Sequence, residues 1–233
     1  MVSKSITAFF PCHNEAGNIE ALTAATVKTL EALTDDFEII IVNDGSTDET
    51  AAIANKLSAV DERIEVIHHD KNKGYGSALQ SGFAAASKDL IFYTDGDGQF
   101  DVSQLREILP LINEYDIITC YRVGRQDNFV RKFNAYAWCT LVNISFKLHL
   151  RDIDCAFKVY RREVIDAIEM HSTGALIDTE MLSRAKRKGF TMVQKPVKHL
   201  PRLYGQSSGG NIKVILRAFK ELFKLRREIM ATK

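Results

Sequence analysis

The chain has 233 residues, enough for one large domain or two small ones, and 45% of them are hydrophobic. Charged residues make up 26%, which is typical of a globular protein and excludes a disordered chain. No apolar run reaches the ~18 residues that a membrane span requires. The four cysteines show neither a disulfide framework nor zinc-ligand spacing. We therefore expect a cytoplasmic protein without a signal peptide.

The net charge of +1 conceals an uneven distribution along the chain. The first hundred residues carry 7 basic and 16 acidic side chains, whereas the remainder carries 24 basic and 14 acidic ones. A basic half favours an anionic partner, such as a phosphate or a membrane surface. We predict no nucleic-acid partner, because the basic residues are not interleaved with aromatic side chains that could stack on bases.

Strand-like and helix-like segments alternate along the chain. Predicted strands cover residues 6–11, 37–42, 64–68, 90–94, 115–121, 152–160 (with a turn) and 192–197. Predicted helices cover residues 18–33, 47–57, about 75–86, 102–112, 133–148, a segment from 177, and 211–230. This alternation predicts an α/β fold with a mostly parallel central sheet flanked by helices. We assign residues 1–210 to one domain and 211–233 to a C-terminal helix.

Polar clusters follow three of the predicted strands, at residues 11–15, 44–48 and 95–99. Because the carboxyl ends of parallel strands meet at the same edge of a sheet, we expect these clusters to form one crevice. Asp95 and Asp97 follow an apolar strand directly, and buried carboxylates without partners are costly. Paired oxygen ligands suit Mg²⁺ or Mn²⁺, which in turn suits a diphosphate. A surface Asp-Gly turn would fit the same residues.

A glycine-punctuated loop precedes the third predicted helix, with Gly74 and Gly76 at its end. Backbone N–H groups at a helix start favour anions, so this loop is a second candidate phosphate site. It is not a dinucleotide-binding fingerprint, because no third glycine falls at the required spacing.

These motifs, taken in order, resemble family-two glycosyltransferases of the GT-A fold, and most closely the dolichol-phosphate mannosyltransferase-like branch. The resemblance runs from residue 6 to about residue 208. It is carried by Pro11-x-x-Asn14-Glu15, Val42-Asn43-Asp44-Gly45-Ser46-Thr47-Asp48, Asn72-Lys73-Gly74-x-Gly76, Asp95-Gly96-Asp97-Gly98-Gln99, Arg122, Asp154-Cys155-Ala156-Phe157, Asp178-Thr179-Glu180 and Arg202-x-x-Gly205-x-Ser207. Two residues depart from the pattern: His13 stands where the branch usually has Tyr, and Gly98 replaces a common Leu.

The resemblance implies transfer of a sugar, with inversion, from a GDP- or UDP-linked donor to a polyprenyl phosphate such as dolichyl or undecaprenyl phosphate. Mg²⁺ or Mn²⁺ would bind Asp95 and Asp97, and Gln99 would orient the diphosphate or a metal-bound water. Arg202, in a glycine- and serine-rich loop, would close over the donor phosphates. The remaining nucleotide contacts implied are Pro11, Asn14, Glu15, Asp44, Gly74 and Ser207, with Glu15 and Asp44 accepting hydrogen bonds from base or ribose.

On the acceptor side, the resemblance implies that Arg122 and Arg131 hold the acceptor phosphate. If the acceptor were instead a hydroxyl, Asp178 or Glu180 would be the general base. Both acidic residues would also suit the start of a helix for electrostatic reasons alone. Two other functions stay open: transfer to a hydroxyl of a glycan or polysaccharide, and non-catalytic binding of a nucleotide sugar as the partner of a membrane enzyme.

The predicted C-terminal helix is amphipathic and basic. Such a helix suits the cytoplasmic face of a membrane, where a polyprenyl acceptor keeps its tail. It could equally pack on the sheet and leave only its basic side in solvent.

Overall fold

The computed structural model describes residues 4–124, 129–204 and 212–231. The strands are β1 (Ile6–Cys12), β2 (Phe37–Asn43), β3 (Ile64–His68), β4 (Leu90–Thr94), β5 (Ile117–Val123), β6 (Phe157–Arg161) and β7 (Met192–Lys198). The helices are α1 (Ile19–Glu31), α2 (Thr50–Val60), α3 (Tyr75–Ala85), α4 (Leu105–Ile108), α5 (Phe129–Phe146), α6 (Arg162–Ala167), α7 (Ile177–Arg187) and α8 (Ile212–Ala231).

The strands form one seven-stranded sheet in the order β3-β2-β1-β4-β6-β5-β7. β1 lies between β2 and β4 and is parallel to both, so these strands end at the same edge. β6 is inserted antiparallel between β4 and β5. The predicted α/β fold with a mostly parallel, helix-flanked sheet is confirmed, and the reversed β6 is a feature that the sequence pattern did not predict.

The centre of the sheet is buried because its strands are nearly continuous apolar runs with helices on both faces. Every residue of β1 and β4 is buried. The ring of Phe9 packs edge-on against Phe83 of α3, with 4.8 Å between the ring centroids, and stacks on Tyr93 of β4. A Cβ on Gly82 would lie 2.3 Å from the Phe9 ring, so this glycine lets α3 approach β1 closely. This close contact fixes the position of α3, which begins directly after Gly74.

Three predicted helices differ in extent from the observed ones. α5 begins at Phe129 rather than at residue 133. α2 begins at Thr50 rather than at residue 47, because the Asp48 side chain accepts hydrogen bonds from the Thr50 N–H and hydroxyl and holds the preceding residues in a turn. Residues 102–112 are not one helix. A 3₁₀ turn (Val102–Gln104), the short α4 and a second 3₁₀ turn (Leu109–Asn113) follow one another, and Pro110 lacks the N–H that a continuous helix would use.

The C-terminal helix packs against the body of the protein over its described side chains. Leu222, Leu225 and Ile229 are buried and belong to the same core cluster as the sheet. This confirms, for residues 221–231, the packing interpretation of the apolar stripe. Of the helices in the described part of the chain, none combines the length and the hydropathy of a membrane span.

Candidate functional site

The ends of β1, β2 and β4 are joined by backbone hydrogen bonds. The N–H of Asp44 donates to the carbonyl of Cys12 over 2.8 Å, and the N–H of Gly96 donates to that of Pro11 over 3.3 Å. A Cβ on Gly96 would lie only 2.4 Å from the Cys12 sulfur, so a side chain there would push the turn away from β1. The polar clusters predicted at these strand ends therefore do meet in one crevice.

Asp95 is a half-buried residue of this crevice and is incompletely paired. Its Oδ1 atom is buried and has no hydrogen-bond partner among the described residues. Burial, followed by the neighbouring Asp97 carboxylate, raises the pKa of Asp95 to about 7, against the opposing effect of a hydrogen bond with Tyr75. A buried carboxylate oxygen without a donor requires some other partner, and a divalent cation is a chemically suitable one. Asp95 thus fits the metal ligand predicted from the sequence.

Asp97 lies at the rim and is bridged to Glu15 by the guanidinium of Arg202. Arg202 Nη1 is 3.4 Å from Asp97 Oδ2, and Nη2 pairs with Glu15 Oε1. Asn18 Nδ2 donates to the second Glu15 oxygen over 2.7 Å. The structure therefore brings together three predicted site residues, including an arginine about a hundred residues away from Asp97 in the sequence.

Gln99 supports this arrangement from the backbone side. Its N–H donates to Asp97 Oδ1 over 3.0 Å, and its side-chain amide donates to the carbonyl of Leu200 over 3.1 Å. The first bond orients Asp97, and the second holds the segment that carries Arg202. Among the described residues there is no group of three or more His, Cys, Asp or Glu side chains that could hold a metal ion. A cation at Asp95 and Asp97 would therefore need further oxygen ligands from a bound diphosphate or water.

Asp44 shapes the loop after β3 through contacts within the protein. Its Oδ1 accepts from the N–H of Lys73 over 2.8 Å and lies 2.6 Å from His69 Nδ1, and its Oδ2 accepts from the N–H of Gly74 over 3.0 Å. These bonds give Asp44 a structural role. The predicted contact of Asp44 with base or ribose stays a prediction.

Asn14 likewise connects two loops at the crevice. Its side-chain oxygen accepts from the N–H of Thr47 over 2.8 Å, and its own N–H donates to the Ser46 hydroxyl. Asn14 has a φ of +59°, a conformation that asparagine tolerates better than most residues. The geometry of this corner thus follows from the chemistry of asparagine at residue 14.

The phosphate site predicted at the start of α3 is filled by the protein itself. The N–H groups of Gly76 and Ser77 both donate to the carbonyl of Thr173, over 3.0 and 3.3 Å. A Cβ on Gly76 would lie 2.3 Å from the carbonyl oxygen of Ser172. The glycines at 74 and 76 are thus explained by the close approach of residues 172–174, which corrects the assignment of Gly74 to a phosphate-binding helix start.

Arg122 ends β5 and forms a bidentate ion pair that the sequence did not reveal. Its Nε and Nη2 atoms donate to the two oxygens of Asp152 over 2.7 and 2.8 Å. An acceptor phosphate at Arg122 would therefore share the guanidinium with Asp152. Of the other predicted residues, Arg131 belongs to α5 but its side chain is outside the described set, and Ser207 lies outside the described residues altogether.

Asp178 is paired with a lysine that sequence reasoning missed. The ammonium of Lys158, which is fully buried on β6, lies 2.7 Å from Asp178 Oδ1 and also donates to the Tyr93 hydroxyl and to the carbonyl of Cys155. The Tyr93 hydroxyl donates to the same Asp178 oxygen. A lysine within an apolar strand is the sequence signal that could have indicated this pair, because a buried ammonium requires a carboxylate.

Glu180 is also engaged internally. Its Oε2 accepts from the N–H groups of His171 and Ser172, and its Oε1 is 2.9 Å from the guanidinium of Arg184, one turn along α7. These bonds anchor the segment that fills the start of α3. The environments of Asp178 and Glu180 therefore favour the structural interpretation of both residues over the role of general base.

Comparison with known families places residues 7–169 within a model described as Glycosyl transferase family 2. The chain is 37% identical to the glycosyltransferase AglD of Haloferax volcanii over 207 residues, which are 84% of this chain and 33% of AglD. It is 27% identical to the undecaprenyl-phosphate 4-deoxy-4-formamido-L-arabinose transferase of Proteus mirabilis, over 90% of this chain and 64% of the relative. The chain thus spans a third of one curated relative and somewhat under two thirds of the other.

Solved structures of glucosyl-3-phosphoglycerate synthase from Mycobacterium tuberculosis share the fold. The form with uridine diphosphate superposes with a TM-score of 0.69 at 16% identity, covering 97% of this chain and 80% of that chain. The form with Mn²⁺, uridine diphosphate and phosphoglyceric acid gives a TM-score of 0.66 at 19% identity, covering 98% and 77%. A form with Mg²⁺ and uridine diphosphate gives 0.64 at 18% identity, covering 98% and 78%. At these identities the likeness shows the fold, in agreement with the predicted GT-A architecture.

Proposed function

The chain belongs to glycosyl transferase family 2, and we propose that it moves a sugar from a nucleoside diphosphate to the phosphate of a polyprenyl lipid, with inversion at the anomeric carbon. The observation that carries this proposal is the crevice where β1, β2 and β4 end. There the unpaired Oδ1 of Asp95 lies near Asp97, and Asp97 is bridged to Glu15 by Arg202. One relative is an undecaprenyl-phosphate 4-deoxy-4-formamido-L-arabinose transferase, which supports the lipid phosphate as acceptor.

The residues present fit a divalent cation. Asp95 offers a buried oxygen without a donor, and Asp97 offers a second carboxylate at the rim. Bound there, Mg²⁺ or Mn²⁺ would supply charge neutralisation for the departing diphosphate. Structures that share the fold contain Mn²⁺ or Mg²⁺ together with uridine diphosphate, which supports this choice of metals.

Arg202 is the residue of this chain best placed to bind donor phosphates. Its planar fork already holds two carboxylates, and the same geometry suits the oxygens of a diphosphate. If Asp97 held a cation, the guanidinium of Arg202 would be available to the phosphates instead of to that carboxylate. Glu15, kept in place by Asn18, would then accept hydrogen bonds from the nucleoside.

On the acceptor side, a phosphate is already an anion at neutral pH and needs no strong general base. The structure supports such an acceptor, because Asp178 and Glu180 are committed to Lys158 and to Arg184. Arg122 and Arg131 remain the proposed ligands of the acceptor phosphate. A glycan hydroxyl is the less favoured acceptor, since it would require one of those carboxylates to be free. The proposed enzyme acts as a peripheral protein at a membrane, where the lipid acceptor lies.

A donor panel tests the proposal. The protein is incubated with radiolabelled GDP- and UDP-sugars, Mg²⁺ or Mn²⁺, and a polyprenyl phosphate, and label is counted in the organic phase. We expect label from one nucleotide class, and none when a chelator is in excess. Absence of label from every donor would contradict the proposed reaction, whereas undiminished transfer in chelator would contradict only the metal.

A further inference from the structure

A groove of about 590 Å³ lies outside the crevice, between α5 and the segment that follows it. We call it the α5 groove and define it by five of its lining residues: Tyr136, Ile144, Lys147, His149 and Arg151. Neither the proposed reaction nor the crevice uses any of them. Its wall on α5 is apolar and its other wall is basic.

Two large apolar side chains on this wall are unusually open to solvent. Tyr136 is 72% exposed and Ile144 is 74% exposed. They are eight residues apart, with Thr140 midway, so the three side chains line one side of α5 over two turns. Single exposed apolar residues are ordinary, but two aligned beside a groove are characteristic of a contact surface.

The opposite wall carries only basic charge. Lys147, His149 and Arg151 alternate with Leu148 and Leu150, whose side chains are buried, and no acidic side chain is among the described residues that line the groove. Arg226 of α8 adds a further guanidinium at the end of α5, where its Nε donates to the carbonyl of Ser145 over 3.3 Å. Exposed apolar side chains next to basic ones are complementary to a partner that has an apolar interior and an anionic surface.

Hydrogen bonds fix the segment after α5 to that helix, and this segment leads directly to Asp152, the partner of Arg122. Asn143 exchanges two hydrogen bonds with the backbone of Leu150, of 2.7 and 3.0 Å. Arg151 directly precedes Asp152, which forms the bidentate pair with Arg122 at the end of β5. A partner seated in the groove would therefore lie beside the proposed acceptor-phosphate ligand.

We propose that the α5 groove docks the protein on the surface of an anionic lipid bilayer. The basic wall would face lipid phosphates, and Tyr136 and Ile144 would enter the boundary between headgroups and acyl chains. The proposal rests on the proposed function in one respect, that a polyprenyl acceptor is presented in a membrane. It assigns docking to α5 because the apolar stripe of α8 is buried where its side chains are described.

Vesicle flotation tests the docking without any transfer chemistry. Full-length protein is mixed with phosphatidylcholine vesicles, with or without phosphatidylserine, in the absence of donor and of polyprenyl phosphate. We expect salt-sensitive binding to the anionic vesicles only. Because each basic residue near an anionic surface strengthens binding by about fivefold, the pair Lys147→Gln with Arg151→Gln should weaken it roughly 25-fold. Tyr136→Ser with Ile144→Ser should weaken it as well.

Matched substitutions on α2 provide the control. Lys56→Gln with Val60→Ser removes one charge and one exposed apolar side chain on another helix, and should bind as the wild type does. All the substituted side chains are exposed, and thermal melts verify that each variant is folded. Wild-type protein that ignores anionic vesicles at low salt, or groove variants that bind as well as the control, would overturn the proposal. A dimer that the groove variants abolish, in protein that does not bind vesicles, would assign the groove to a second copy instead.

Transfer assays separate this proposal from the proposed function. Groove variants should lose transfer to a long-chain acceptor in vesicles yet retain transfer to a short, water-soluble prenyl phosphate. If the wild type transfers sugar to neither acceptor, the proposed reaction fails while flotation still decides the docking. If groove variants lose transfer to both acceptors equally, the groove serves the reaction itself and the docking proposal is wrong.

Discussion

At the residue scale, the two carboxylates of the Asp95-Gly96-Asp97 turn have different surroundings. Asp95 is half-buried and its buried Oδ1 has no partner among the described residues, whereas Asp97 is held by Gln99 and Arg202. Burial favours the protonated form of Asp95, and a cation would favour the ionised form. Two ionised carboxylates in this turn repel each other, and a shared cation would remove that repulsion.

The first prediction concerns Asp97. Asp97→Ala should lower transfer by at least about 10²–10³-fold, because loss of one electrostatic contact to a developing charge has that cost. The fold should be retained, since Asp97 lies at the rim of the crevice rather than in the core. Activity and the unfolding midpoint are both measured. Asp166→Asn, an exposed carboxylate on α6, is the matched control and should leave both unchanged.

A second prediction separates structure from catalysis at Asp178. Lys158→Met leaves a buried carboxylate unpaired and should cost about 3–5 kcal/mol in the free energy of unfolding. Combining it with Asp178→Leu and Tyr93→Phe removes the pair and its hydroxyl together, and should recover most of that loss. Urea denaturation measures the unfolding free energies.

The same triple variant should still transfer sugar to a phosphate acceptor, since it changes no proposed ligand of donor or acceptor. A triple variant that is folded but inactive would show that Asp178 acts in the reaction. Retention of stability in Lys158→Met alone would instead show that the buried ion pair is not formed.

At the element scale, the sequence predicted the strands more closely than it predicted their neighbours. The apolar runs at 37–42 and 90–94 stand almost unchanged as β2 and β4, because a strand buried on both faces is apolar at nearly every position. The run at 64–68 is also confirmed as β3, although this strand lies at the edge of the sheet and only Ile64 is buried. The reversal of β6 was not predictable from its pattern, since an apolar strand looks alike in either direction. The helix between β5 and β6 would, if anything, have favoured a parallel pair, because helical crossovers usually connect parallel strands.

In the candidate site too, residues in local motifs were predicted and contacts between distant elements were not. Asp95, Asp97, Glu15 and Arg202 were predicted because each lies in a local motif, and the structure brings them together. The pairs Arg122–Asp152 and Lys158–Asp178 were missed because their partners come from different elements, and no local spacing marks them. Gly74 and Gly76 were misassigned for a related reason. From the sequence alone, a glycine that makes room for a phosphate cannot be distinguished from one that makes room for a backbone carbonyl of a distant segment.

The third prediction follows from that misassignment. Gly76→Ala places a Cβ 2.3 Å from the carbonyl oxygen of Ser172, a backbone atom that has little room to move. The substitution should cost about 1–3 kcal/mol, as overpacking does. Gly174→Ala is the control in the facing segment, because no atom lies within 4 Å of its added Cβ. Equal urea midpoints for the two variants would contradict the close packing of α3 on residues 172–174.

At the scale of the whole molecule, two separate groups of residues would serve the donor and the membrane. The ends of β1, β2 and β4 carry the acidic donor crevice, and α5 with the segment after it carries the basic groove. The uneven charge along the chain is therefore also uneven in space. An acidic crevice suits a divalent cation and a basic groove suits an anionic membrane, because each attraction depends on the local charge.

The last prediction concerns the thermal stability of the whole protein, which should rise when the donor nucleotide binds. A nucleoside diphosphate at a hundred times its Kd should stabilise the fold by about 2.7 kcal/mol. For a domain of this size, that corresponds to a rise of roughly 5–10 °C in the melting temperature. Melting curves are recorded with GDP or UDP, each with Mg²⁺, with Mn²⁺ and with excess chelator.

The nucleotide that produces the larger shift identifies the donor class. The shift should require the metal, because the carboxylates of Asp95 and Asp97 would repel the diphosphate unless a cation neutralised them. Asp97→Ala should therefore lose the shift in every condition, while Asp166→Asn keeps it. An equal shift for the wild type in chelator and in Mn²⁺ would show that Arg202 alone holds the diphosphate and that the metal is dispensable for donor binding.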